Sequence, residues 1–103
     1  MSSAESTIEV RHNPAAGRFE ATVAGHLCVA DYRLVGGAMR IHHTEVAPQL
    51  EGRGIAGHIV RAAFAFAEAN GLRVEPWCGY VRAYMKRHPE TLRLLPADFP
   101  AIR

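Results

Sequence analysis

A chain of 103 residues has room for one small domain with a single core. Its 49% hydrophobic and 21% charged residues are ordinary for a soluble globular protein, and a formal charge of +2 argues against a nucleic-acid partner while allowing a small anionic ligand. Two cysteines make no disulfide scaffold, no signal-like segment opens the chain, and no apolar run approaches the ~18 residues of a membrane span. The expected setting is therefore cytoplasmic, with no membrane and no nucleic acid as partner and with Cys28 and Cys78 as free thiols.

From Ile8 to Val46 the pattern is strand-like and broken by turns. TIEVRHN is apolar at Ile8 and Val10, and Pro14-Ala15-Ala16-Gly17 is a turn signal. RFEATV alternates, with Phe19, Ala21 and Val23 on one face. Gly25 breaks that run. HLCVADYRLV alternates again, as Leu27, Val29 and Asp31 against Cys28, Ala30, Tyr32 and Leu34. Gly36-Gly37 marks a two-residue hairpin, and AMRIHHTEV is the next strand. Strands joined by such tight connections form an antiparallel meander most economically.

Past Pro48 the period changes. Ile55 to Asn70 reads as a helix about 24 Å long. Ile59, Ala63, Phe66 and Ala67 share one face, with Ala56 and Val60 beside them. Asn70-Gly71 stops it. LRVEPW from Leu72 is a short strand, and YVRAYMKRH from Tyr80 is a short helix ended at or before His88 by Pro89. One helical turn and a proline-rich tail follow. The order β-β-β-β-α-β-α predicts an α+β fold, an α/β sandwich on one mixed, mostly antiparallel sheet. The domain is expected over residues 7–95, with terminal extensions at 1–6 and 96–103.

Between the fourth strand and the first helix stands QLEGRGIAGHIV, from Gln49 to Val60. The first N–H groups of a helix lack internal partners and point outward together, and the helix dipole adds positive potential there. Gly52 and Gly54 would give an anion clearance and the unusual dihedrals, and Arg53 adds a charge that could reach a phosphate. A tight strand-to-helix turn explains the same glycines equally well. The dinucleotide fingerprint has its spacing through Gly57 but not its setting, because four antiparallel strands precede it. The nucleoside triphosphate loop fails for want of Gly-Lys-Ser/Thr.

The run Val46-Ala47-Pro48-Gln49-Leu50-Glu51-Gly52-Arg53-Gly54-Ile55-Ala56 resembles the acetyl-coenzyme A loop of the GCN5-related N-acetyltransferases, whose pattern is Gln/Arg-x-x-Gly-x-Gly/Ala. Gln49, Gly52 and Gly54 match in order and spacing. HTEVAPQLEGRGIA together with WCGYVRAYMKRHPE resembles the minimal subfamily, over about Leu27 to Glu90. The resemblance implies a strand before the loop that splays from the strand after the helix, with the pantetheine arm in the gap. It implies phosphates held from Leu50, Glu51, Gly52, Arg53, Gly54, Ile55 and Ala56, with Gln49 counted in the loop. Thr44 and Val46 would line the pantetheine, with Cys78 and Tyr84 near its end. The helices that wall the acceptor site in larger members are missing here. The implied reaction is direct acetyl transfer from acetyl-coenzyme A to an unidentified amine, on a small molecule or a protein, by a monomer or weak dimer. A non-catalytic acyl-coenzyme A or coenzyme A binding module is the alternative.

Such a transfer needs a deprotonated amine, a stabilised oxyanion and a proton for the departing thiolate. Glu45 and His43 lie two apart and share a strand face, so either serves as general base, or Glu45 makes a surface salt bridge and His43 is a packed or exposed imidazole. Cys78, between a short strand and a short helix, is nucleophile, proton donor, disulfide partner of coenzyme A, or a small core thiol. Tyr80 and Tyr84 frame the last helix. In relatives a tyrosine on this helix donates the proton, but its place falls at Met85 here, so Tyr84 departs from the pattern. Arg82, Lys86 and Arg87 contact the cofactor's nucleotide phosphate or form a solvated face. His42, His43, Cys78 and His88 lack ligand spacing, and no metal is expected.

Overall fold

In the computed structural model, which describes residues 8–100, the turn signals of the first half all become chain reversals. β1 (Arg11–Asn13), β2 (Arg18–Val23), β3 (His26–Val35) and β4 (Ala38–Glu45) pair antiparallel in chain order. α1 (Ile55–Ala69) then carries the chain across to β5 (Arg73–Pro76), which adds parallel to β4. α2 (Gly79–Arg87) and a 3-10 segment, Pro89–Leu94, complete the order. The expected α+β sandwich is present. The extension at 1–6 lies outside the described residues, as do residues 101–103. No helix among the described residues is long and apolar enough to cross a membrane.

Gly36 and Gly37 have φ of 54° and 79°, the pair of positive values that a two-residue hairpin of this twist requires. Phe19, Ala21 and Val23 of β2 are buried on one sheet face with Cys28, Ala30 and Tyr32 of β3, Met39 and Ile41 of β4, and Val74 of β5. α1 covers that face through Ile55, Ile59, Val60, Ala63, Phe64 and Ala67. α2 lies beside α1 and buries Val81, Tyr84 and Met85, with the Tyr84 ring edge-on to Phe64 at 5.6 Å. Truncating Ile59, which is fully buried, to Ala would cost about 2–5 kcal/mol. The opposite face is held by ion pairs between neighbouring strands, Arg18–Asp31 at 3.1 Å and Arg40–Glu75 at 2.9 Å.

Four sequence expectations need correction. The first strand starts at Arg11, and Ile8 and Val10 reach the core from outside it. Leu34, grouped by alternation with Cys28, Ala30 and Tyr32, is exposed near the hairpin tip while they are buried, and Val29 of the other face is buried too. On α1 the fully packed aromatic is Phe64 rather than Phe66, because the helix faces α2 as well as the sheet. β4 carries an extra residue: Tyr32 pairs with Ile41 but Asp31 with His43, so His42 forms a bulge. Beyond the bulge the alternation is reset. Thr44 follows Ile41 onto the helix side, and His43 and Glu45 turn to the open face.

Phe66 has a different partner. His12 of β1 stacks on Phe19 at 4.2 Å, meets Phe66 edge-on at 4.4 Å, and hydrogen-bonds through Nε2 to the Tyr32 hydroxyl. Burial lowers the His12 pKa from its ordinary value and raises that of Tyr32. The fold therefore favours neutral imidazole. The stability this confers is complete above about pH 6.5, the value in the unfolded chain, and is lost as pH falls below it through the lowered folded pKa. The unfolding midpoint is expected to drop between about pH 7.5 and 5.5, and His12→Phe, which keeps the stack without the titration, should flatten the drop. Parallel losses in both proteins, read by thermal melts, would remove His12 as the cause.

Candidate functional site

The β4–β5 ladder stops early. It runs from Ala38↔Arg73 to Ile41↔Pro76, although β4 continues to Glu45. The Ile41 carbonyl accepts the N–H groups of both Trp77 at 3.0 Å and Cys78 at 3.1 Å, and there the two chains part. His42 to Glu45 thus present a backbone edge without a strand partner on the β5 side.

After β4 the chain turns through a 3-10 segment, Pro48–Leu50, and enters the glycine loop. Gly52 has φ of 87° and Gly54 of 76°, values L side chains rarely adopt, yet a Cβ on either would meet nothing within 4 Å. The dihedral demands glycine, and the space in front of it is open. Gly54 is the N-cap of α1 and brings no capping side chain, and the first turn holds no acid. The first amides of α1 consequently face the open side without a helix partner.

A cleft of about 480 Å³ lies between these parts, in the range of small-ligand pockets. Thr44 and Val46 line it from β4, Leu50, Glu51, Gly52 and Gly54 from the loop, Ile55 and Ala56 from α1, and Tyr80 from α2. Leu50 and Ile55 are buried anchors, so what they offer the cleft is backbone. Cys78 stands at the N-cap of α2, half-buried, with Sγ 3.5 Å from Thr44 Oγ1. Burial opposes its ionisation. The Thr44 hydroxyl and the N–H groups of Val81, Tyr80 and Thr44 outweigh that and bring the thiol below the ordinary cysteine pKa.

Other predicted residues sit differently. Gln49 is exposed and holds the loop to the start of β3, its Nε2 3.0 Å from His26 Nε2. Arg53 is exposed on the loop. Tyr84 is not at the cleft; its ring packs on Phe64 and on His88 at 4.3 Å and borders a separate groove with Arg61. Tyr80, for which no site role was expected, lines the cleft instead. Its hydroxyl comes 3.6 Å from where a Cβ on Gly57 would stand, an ordinary van der Waals distance that places it against the first turn of α1. Burial, partly offset by Arg87, raises the Tyr80 pKa and keeps the phenol neutral. His43 Nε2 and Glu45 Oε1 are 3.2 Å apart, with side chains 51% and 68% exposed, on the sheet face opposite Thr44. Among the described residues no three His, Cys, Asp or Glu side chains gather as metal ligands would.

Loop, splayed strands and N-cap cysteine all fall within residues 18–94, and that segment matches the family described as GCN5-related N-acetyl-transferase. The chain belongs to the GCN5-related N-acetyltransferase family. Among its relatives, Protein NATD1 of Xenopus tropicalis is 33% identical over 87 residues, covering 82% of this chain and 80% of the relative. Protein NATD1 of Gallus gallus is 33% identical over 85 residues, covering 80% and 77%. Protein NATD1 of Mus musculus gives the same identity, length and coverage. Among the described residues both helices lie on one face of the sheet, and the side bearing Glu45 is open to solvent.

Cys78 is expected to alkylate well before Cys28, which is completely buried, and at a pH below that of a free thiol. Thr44→Val removes a hydrogen bond to the thiolate and should move the profile to higher pH. Mass spectrometry of pH-resolved iodoacetamide labelling reads both. An unmoved profile in the variant would mean that Thr44 does not tune the thiol.

Proposed function

We propose that the chain transfers an acetyl group from acetyl-coenzyme A directly to an amine, which approaches from the open sheet face. The supporting observation is the continuity of the cleft. It begins at the unpartnered amides of α1, follows the unpaired edge of β4, and ends where Thr44 meets Cys78. Such a path suits a ligand with an anionic head, a thin amide-bearing arm and a reactive end.

When bound, acetyl-coenzyme A supplies an acyl carbon already activated as a thioester. The protein's residues then have limited work, most of it positioning. The amides from Gly54 to Gly57 hold the diphosphate, with Arg53 beside them. The backbone edge of β4 near Val46, which has no strand partner on the β5 side, orients the arm. Glu45, steadied by His43, takes the proton of the incoming ammonium, directly or through one water. Cys78 is the group best situated to protonate the departing sulfur, because amides and a hydroxyl stabilise the thiolate it leaves behind. Tyr80, neutral and at the same cleft, is a second donor of hydrogen bonds.

Two variants separate binding from chemistry. An aspartate at position 56 suits the helix N-terminus and should not weaken the fold. It also brings a negative charge into the phosphate cradle. Acetyl-coenzyme A at ~100 times its dissociation constant adds about 2.7 kcal/mol, or roughly 10 °C in a domain this small. Wild type is expected to show that shift and Ala56→Asp to lose it while remaining folded. Wild type unmoved by millimolar cofactor would sink the proposal.

Glu45→Gln should bind cofactor normally and slow transfer about a hundredfold. Normal turnover would dismiss Glu45 as base. An acetylated Cys78 formed without amine would replace direct transfer by a relay through the thiol. Binding with no transfer across a broad amine panel would establish the non-catalytic reading.

A further inference from the structure

Coenzyme A carries a monoester phosphate on its ribose besides the diphosphate, and helix amides offer that doubly charged group no fixed positive charge. We infer that Arg87, laid over the ring of Tyr80 at the rim of the cleft, takes this ribose 3′-phosphate and makes the site select coenzyme A over its dephospho form. The inference rests on the cofactor reading above and adds the residue that sets cofactor specificity.

Helical side chains lean toward the N-terminus of their helix. Arg87 is in the last turn of α2, yet its guanidinium is carried back to lie 5.9 Å from the centroid of the Tyr80 ring. Tyr80 lines the cleft and abuts Gly57 in the first turn of α1. The guanidinium is thus held where a ligand leaving the α1 amides would pass. The guanidinium lies over the ring and spends one donor on the Tyr80 hydroxyl, and its five N–H groups leave a pair that matches a phosphate in bidentate fashion.

The surrounding charges single out Arg87. Among the described residues it has no carboxylate partner, whereas Arg40 is bound to Glu75 and Arg93 to Glu68, both at 2.9 Å. Arg82 donates to the Pro76 carbonyl at 3.0 Å and is drawn away from the rim. Lys86 is one residue earlier, about 100° round the helix. The acid lining the cleft, Glu51, belongs to the loop side and repels phosphate there, so a compensating cation is needed across the cleft. Arg53, in the loop, serves the diphosphate.

Calorimetric titration of coenzyme A and 3′-dephospho-coenzyme A into wild type, Arg87→Gln and Lys86→Gln tests this. Wild type and Lys86→Gln should bind coenzyme A about tenfold more tightly than the dephospho form, as a charge-assisted contact at a half-open rim provides. Arg87→Gln should bind the two alike, at the affinity wild type shows for the dephospho form. Equal affinities in wild type, or a preference that survives in Arg87→Gln, would overturn the assignment and leave Arg87 as a surface cation resting on a ring. Failure of wild type to bind either ligand is a different result. It would overturn the cofactor reading itself. Arg87 is exposed, and a melt of each free variant confirms that the comparison is between folded proteins.

Discussion

The carbonyl of Ile41 accepts two N–H groups, from Trp77 and Cys78, and the parallel ladder ends there. Everything about the site follows from that termination. Had β5 continued alongside β4, its backbone would fill the edge from His42 to Glu45 and close the space in front of the glycine loop. Two local features make the parting possible. Cys78 turns its N–H back to the carbonyl that Trp77 already uses instead of extending the strand. The bulge at His42 adds twist at the same level of β4.

The bulge also sorts chemistry between the two faces. It directs Thr44 toward the helices and the thiol of Cys78, and it directs His43 and Glu45 toward solvent. A two-layer protein with both helices on one side therefore has its cleft on the covered face and a carboxylate on the bare one. The bare face is held by Arg18–Asp31 and Arg40–Glu75, partly exposed pairs that tie adjacent strands at little cost in desolvation.

Much of this was legible in the sequence, and the reasons are local. The hairpin at Gly36-Gly37 and the loop glycines stood out because positive φ leaves a chain few residues to choose from. The change of period at Pro48 fixed the strand-to-helix transition, and the loop pattern identified the cleft walls from Thr44 to Ala56. What escaped depends on nonlocal phase. One inserted residue at His42 changes no composition, yet it resets every side chain after it. Choosing between Phe64 and Phe66, or Tyr80 and Tyr84, requires knowing how α1 and α2 are rotated against each other. That rotation shows only in tertiary contacts such as the edge-on meeting of Phe64 and Tyr84. Gln49 matched its pattern in spacing, but its side chain reaches sideways to His26 rather than into the cleft.

The unpaired edge of β4 has one more consequence. Free strand edges invite other chains to pair with them, and proteins usually blunt them with charge, proline or a covering element. This edge lies inside the notch between β4 and β5, with Thr44, Cys78 and Tyr80 around it. A peptide would have to bring side chains on alternate sides of its backbone into a space already occupied on both. A slender chain that carries amides and no side chains meets no such obstacle. Side chains that crowd the notch thus do for this edge what charge or proline does for others, and they leave a passage whose width would favour a slender ligand over a pairing strand.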